Sequence, residues 1–183
     1  MKTRRNDSRS RATIVRRYGV RALAAGAALS GTLLAVAGPA HAASNVVVTG
    51  GGTLQIIAGN GPDNITVFVG AGGRLHVRNT LDVVPAVAPC VAAGANEVSC
   101  PAAGIVRIKA ATRGGNDTLR NFTSLRSRAD MGRGKDRFFG GTARDVVFGR
   151  AGDDVLNGLG GNDAANGGPG FDLCTAETRV LCP

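Results

Sequence analysis

The chain is short of what a conventional core and most active sites need. Among 183 residues there is no tryptophan and one tyrosine, and aromatics make up 4%. A compact globular core would therefore be thin, and an architecture in which each layer buries only its neighbours suits the composition better. Two histidines, His41 and His76, are present, with no His-Glu-x-x-His pattern and no Gly-x-Ser-x-Gly elbow. The run Gly132-Arg133-Gly134-Lys135-Asp136 lacks the Walker spacing and the Ser or Thr that should follow lysine. Catalysis is not expected. The apolar stretch from Ala22 to Ala37 is too short and alanine-rich to span a bilayer, so stable membrane insertion is not expected either.

Glycine is abundant, with 28 residues, and from Met131 to Thr175 it is regularly placed. Asp136, Asp145, Asp154, Asp163 and Asp172 recur every nine residues. Two residues before each stands Gly134, Ala143, Gly152, Gly161 or Gly170, and two after each stands Phe138, Val147, Leu156, Ala165 or Cys174. A six-residue turn followed by a three-residue strand fits this unit. Glycine supplies positive φ in the turn and leaves carbonyls uncovered, while strand alternation sends the residue two past the aspartate inward. Two units make one coil of 18 residues. Asp136, Asp154 and Asp172 then stack along one edge and Asp145 and Asp163 along the other, with roughly 4.8 Å between coils. Carboxylates so close repel, and a hard divalent cation relieves them. Ca²⁺ takes 6–8 oxygen ligands in flexible geometry, whereas Mg²⁺ demands a tight octahedron. Calcium sites are expected at 136/154, 154/172 and 145/163.

Residues 1–42 read as an export signal. A basic region reaches Arg21, the apolar run follows, and Ala40-His41-Ala42 offers a small-residue cleavage site. Secretion is therefore expected. This segment carries eight of the 22 basic residues and one of the 13 acidic ones, which leaves 14 against 12. The formal +9 is thus mostly a property of the signal, and nucleic acid is not expected as a partner. Cys90, Cys100, Cys174 and Cys182 make an even count in an exported chain and read as two disulfides. Of three possible connectivities the local pairs 90–100 and 174–182 are expected. No Cys-x-x-Cys spacing supports metal ligation instead.

Between Ser44 and Thr80, short strands are expected at 46–48, 54–57, 65–69 and 75–77, with a hairpin signal at Gly72-Gly73. Asp63 sits in a single copy of the unit with no matching carboxylate nearby, and reads as a turn cap. Pro85, Pro89 and Pro101 mark 81–104 as an irregular surface excursion, followed by a half-exposed strand at 105–109. Asp117, in Gly114-Gly115-Asn116-Asp117, lies 19 residues before Asp136. It joins the ladder only if a bulge absorbs one residue. Asp130 is out of register and reads as a solvated turn residue. His76 has no evident partner.

The repeat resembles the nonapeptide G-G-x-G-x-D-x-U-x of the repeats-in-toxin (RTX) family, a Ca²⁺-binding parallel β-helix. Gly152-Asp153-Asp154-Val155-Leu156-Asn157-Gly158 and Gly161-Asn162-Asp163 carry the likeness, and the chain resembles short secreted bacterial proteins of this type that end in Gly-Gly-Pro-Gly followed by cysteine, as 167–174 does. The sequence departs from the pattern at Lys135 and Arg144, whose charges beside Asp136 and Asp145 should weaken those sites. The expectation is an all-β chain: an export signal (1–42), a β-rich N-terminal part of the solenoid (43–130), a calcium-binding parallel β-roll (131–175) and a disulfide-linked cap (176–183). Gly134, Gly152, Gly161 and Gly170, with the five aspartates and Asp117, are the expected metal residues. Partners would be calcium ions and a cell-surface, glycan or protein target. The competing reading is a metal-independent β-solenoid serving as an adhesion or envelope module.

Overall fold

A computed structural model describes residues 43–182, and the expected export signal lies outside them. Among the described residues there is no α-helix, only one short 3₁₀ turn at Ala71–Gly73. Fifteen strands follow in order: β1 (Asn45–Thr49), β2 (Thr53–Ile57), β3 (Asn64–Val69), β4 (Leu75–Asn79), β5 (Val91–Gly94), β6 (Glu97–Cys100), β7 (Arg107–Ala111), β8 (Thr118–Phe122), β9 (Arg126–Arg133), β10 (Arg137–Phe139), β11 (Asp145–Ala151), β12 (Val155–Asn157), β13 (Ala164–Asn166), β14 (Leu173–Thr175) and β15 (Thr178–Val180).

They form two sheets, β1-β2-β7-β9-β11-β13-β15 and β14-β12-β10-β8-β3-β4-β6-β5. From β7 onward consecutive strands alternate between the sheets, and each pairs in parallel with the strand two places along. The N-terminal half is antiparallel where β1 meets β2 and where β3, β4, β6 and β5 meet. The sheets are therefore mixed and open, not wholly parallel. β5 and β6 correct the expectation that 81–104 is irregular. The prolines fall outside both strands, and Val98 takes a buried place opposite Val77.

The core is two columns of inward side chains. Ile65, Leu119, Phe138, Leu156 and Cys174 stand in register in one sheet, and Ile56, Ala110, Ala129, Val147 and Ala165 stand in register in the other. All ten are buried. Bulk is concentrated in the first column and small residues in the second, which is why a chain without tryptophan can fill the space and why Ala165 is tolerated.

Glycine sets how closely the turns stack. A Cβ on Gly152 would lie 1.8 Å from the Gly134 carbonyl oxygen, and one on Gly170 would lie 1.8 Å from that of Gly152. Both have φ in the left-handed region, +136° and +153°. Cys90–Cys100 and Cys174–Cys182 are both bonded, as expected.

Gly152→Ala is expected to destabilise the chain by about 3 kcal/mol, at the upper end of overpacking costs. A Cβ on Gly160 meets its nearest atom at 3.6 Å and needs no unusual φ, so Gly160→Ala should stay within about 0.5 kcal/mol. Chemical denaturation of the two variants under one buffer condition checks the contrast.

Candidate metal site

The turns before β3, β8, β10, β12 and β14 of the second sheet each end in an aspartate, and these residues are coupled rung to rung. The Asp136 amide donates to Asp154 Oδ1 at 2.9 Å, and the Asp154 amide donates to Asp172 Oδ1 at 2.9 Å. On the other edge the Asp145 amide donates to Asp163 Oδ1 at 2.8 Å. The structure thus brings Asp136, Asp154 and Asp172 into one ladder and Asp145 and Asp163 into another.

Both ladders run further than expected. The Asp117 amide donates to Asp136 Oδ1 at 2.8 Å, and the Asp63 amide donates to Asp117 Oδ1 at 2.9 Å. Asp63 is therefore a rung and not an isolated turn cap. Its neighbour lies 54 residues away in sequence, because β4 to β6 are inserted between the two turns. The extra residue ahead of Asp136 is absorbed between β8 and β9, at Thr123-Ser124-Leu125. The Asn121 side chain organises this turn: its Oδ1 accepts from the Thr123 amide and its Nδ2 donates to the Leu125 carbonyl. On the other edge Ser127 takes the next place, donating its amide to Asp145 Oδ1. Ile108 pairs with Ser127, so that edge becomes apolar. At the far end Glu177 Oε2 accepts from the Asp163 amide at 2.7 Å. Glu177 is nine-repeat logic in disguise: it lies 14 residues on, not 18, and no spacing argument would have found it.

One oxygen of each carboxylate is left over. Oδ2 of Asp63, Asp117, Asp136, Asp154, Asp163 and Asp172 is buried without a hydrogen-bond partner; Oδ2 of Asp145 accepts from the Gly141 amide at 2.7 Å. Glycine makes room for these oxygens. A Cβ on Gly149 would lie 2.2 Å from Asp154 Oδ2 and 2.7 Å from the Gly167 carbonyl oxygen, and one on Gly140 would lie 2.4 Å from Asp145 Oδ2 and 2.2 Å from the Gly158 carbonyl oxygen. A carboxylate oxygen from one turn and a carbonyl oxygen from the next therefore converge beside a glycine. Oxygen donors of this kind fit a hard cation. Among the described residues no three His, Cys, Asp or Glu side chains come together around a point, so carbonyls must supply much of any ligand set.

Burial is the first cause of the carboxyl pKa shifts, with neighbouring aspartates adding to it. Asp136 is pushed up to about 7 and Asp117 to about 6, and Asp63, Asp154 and Asp163 are raised. The N-terminal rungs lack the glycine five residues before the aspartate: Met131 and Thr112 stand there, both buried.

Residues 132–165 and 139–173 each match the model of the RTX calcium-binding nonapeptide repeat, described as four copies. Residues 132–173 carry RTX calcium-binding repeats. The ion that such repeats bind is Ca²⁺. The RTX match begins after Asp63 and Asp117, so the ladder in the structure is longer than the family segment. Neither curated proteins nor solved structures gave a match.

Two other expectations need correction. Asp130 lies in β9 and pairs with Arg150 across the neighbouring strand, where a turn residue was expected. His76 has partners after all: Nδ1 lies 2.6 Å from Glu97 Oε1, and Nε2 lies 3.3 Å from Ser99 Oγ. Pairing of β4 with β6 creates this contact, so it was invisible while 81–104 was read as irregular. The Ser–His–Glu order is that of a hydrolytic triad. However, Arg74 Nε donates to Ser99 Oγ at 2.7 Å and Ser99 is 5% exposed, so the hydroxyl is held by a cation and covered. The network ties two strands together.

Two outcomes are expected. A fluorophosphonate probe should leave Ser99 unlabelled; labelling that disappears in Ser99→Ala would show a hydrolase. Without metal, the raised carboxyl pKa values mean that the folded chain holds protons more tightly than the unfolded one. Their stabilising effect is complete below about pH 4 and is lost as pH rises through about 7. Metal-free chain should therefore lose β signal across that window, while calcium affinity strengthens over it with release of protons. Circular dichroism and calorimetry in buffers of different ionisation enthalpy check both signs.

Proposed function

We propose that the chain is an exported calcium-binding protein whose residues 131–175 form a β-roll that orders on binding the ion. In this reading Asp136, Asp145, Asp154, Asp163 and Asp172, with Asp117 at the N-terminal end, supply carboxylate oxygens. Carbonyls of the glycine turns, among them Gly134, Gly152, Gly161 and Gly170, supply others. The observation that carries it is the row of buried Oδ2 atoms with no donor. Desolvated carboxylates without partners cost stability, and a bound divalent cation supplies the missing charge. An ion held by the folded form alone stabilises it by mass action.

The two halves should respond differently. Residues 43–122 contribute Val46, Leu54, Ile56, Ile65, Val67, Leu75, Val77 and Val98 to the core, all at most 2% exposed, and the Cys90–Cys100 bridge lies among them. This half has enough apolar contact to stay ordered without metal. The segment 131–175 has one inward residue per short strand and depends on its turns. The tail after β14, bonded through Cys174–Cys182 and bringing Glu177 to Asp163, serves as the cap of that segment. A catalytic role is not part of the reading. Basic residues 1–21 and the apolar run after them support export, which delivers the chain to where calcium is plentiful.

Asp153 and Asp154 offer a matched test. Asp154 is a buried rung between Asp136 and Asp172, whereas Asp153 is exposed at its side chain and paired with Lys135. Asp154→Asn should weaken calcium binding about tenfold or more, since ligand charge tunes such sites strongly. Asp153→Asn removes the same charge and should change it by no more than about twofold. Calorimetric titration of both variants decides. Equal losses, or no calcium uptake by the parent chain, would leave a metal-independent β scaffold.

A further inference from the structure

Charge is sorted between inside and outside in this molecule. Seven of the twelve acidic residues after position 42 are buried rungs: Asp63, Asp117, Asp136, Asp145, Asp154, Asp163 and Asp172. The solvent-facing surface is left with few acids against 14 lysines and arginines. On the first sheet these cations are not dispersed. Arg107 pairs in register with Arg126, and Lys109 with Arg128, which sets like-charged residues side by side on strands about 4.8 Å apart. Like charges directly opposite destabilise a sheet. Among the described residues none of these four forms a salt bridge. Arg107 Nε is buried without a hydrogen-bond partner.

The same four residues line a trough. A depression of about 160 Å³ is bounded by Arg107, Lys109, Arg126 and Arg128. A second of about 310 Å³ shares Lys109 and Arg128 and continues to Arg113, and the one carboxylate on its wall, Asp130, is paired with Arg150. Together they run beside β7 and β9 and into the turn after β7, from Arg107 to Arg113, roughly 20 Å. Arg128 is held in place by Phe148, with its guanidinium carbon 4.4 Å from the ring centroid. From this we propose that the trough between β7 and β9 is a docking surface for a linear acidic polysaccharide, with the basic side chains facing successive carboxylates or sulfates along the polymer.

The occupant follows from charge complementarity and from what the face lacks. Single-stranded nucleic acid sites add free aromatic faces for base stacking, but here Phe148 is taken by Arg128 and Arg150. Reading duplex DNA takes an element that enters a groove, and a flat sheet face offers none. A lipid surface would call for exposed large apolar side chains beside the cations, but here Ile56 and Ile108 are buried and Ile57 is half-buried beside Gln55. The proposal does not depend on the calcium reading.

The test compares two variants with the same change in charge. Lys109→Gln with Arg126→Gln removes two exposed cations from the trough, neither of which makes a side-chain hydrogen bond or ion pair among the described residues. Arg120→Gln with Arg137→Gln removes two from the outer face of the opposite sheet. Binding of the full chain to dextran sulfate is measured in calcium at about 0.15 M salt, where screening sets in beyond about 8 Å. Neutral dextran, a single-stranded oligonucleotide and anionic vesicles serve as competitors, and circular dichroism verifies each fold. The trough variant should lose about tenfold or more in affinity and the control about twofold or less. Equal losses would reduce the effect to net charge and overturn the proposal. So would equal binding of neutral dextran, or tighter binding of the oligonucleotide or the vesicles.

Discussion

The structure depends on one hydrogen bond repeated from rung to rung: the amide of one aspartate to Oδ1 of the next. That bond fixes the register of the turns and fastens each carboxylate by one oxygen only. The other oxygen is driven into the turn, and in every aspartate rung but Asp145, whose Oδ2 accepts from the Gly141 amide, nothing in the chain donates to it. Those rungs therefore gain a backbone contact and incur an unpaired buried oxygen. The match of 132–173 to calcium-binding repeats and the oxygen-lined cradles agree on what relieves the second effect.

Glycine has two separate duties here, and the distinction explains why the repeat tolerates some substitutions. At Gly152 and Gly170 the neighbouring carbonyl excludes any side chain. At Gly140 and Gly149 the chain's own carboxylate, five residues on, excludes it together with a carbonyl of the neighbouring turn. Where Met131 and Thr112 replace the second kind of glycine, the turn survives and the carboxyl groups of Asp136 and Asp117 are pushed furthest up.

The nine-residue period made the ladders legible because it is local: aspartate, glycine and inward residue fall at fixed offsets within one unit. The two disulfides were legible for a similar reason, since their partners are close in sequence. What depended on long-range pairing was not. Asp63 meets Asp117 only after β4 to β6 are looped out, and Ser99 meets His76 only once β6 is recognised beside β4. Glu177 substitutes for a rung from the wrong spacing. Sorting of cations onto the first sheet was hidden as well, because Arg107, Lys109, Arg126 and Arg128 become neighbours through a 19-residue register that the 18-residue coil does not imply.

Amide hydrogen exchange at the ladder residues reports most directly on the central claim that a divalent cation holds the rungs together. With calcium present, the amides of Asp136, Asp145 and Asp154 should exchange slowly, as in a cooperative core. In chelator they should exchange near the rate of an unfolded chain, while those of Leu54, Ile65 and Val77 keep their protection. Ladder amides equally protected with calcium and with chelator would contradict the account.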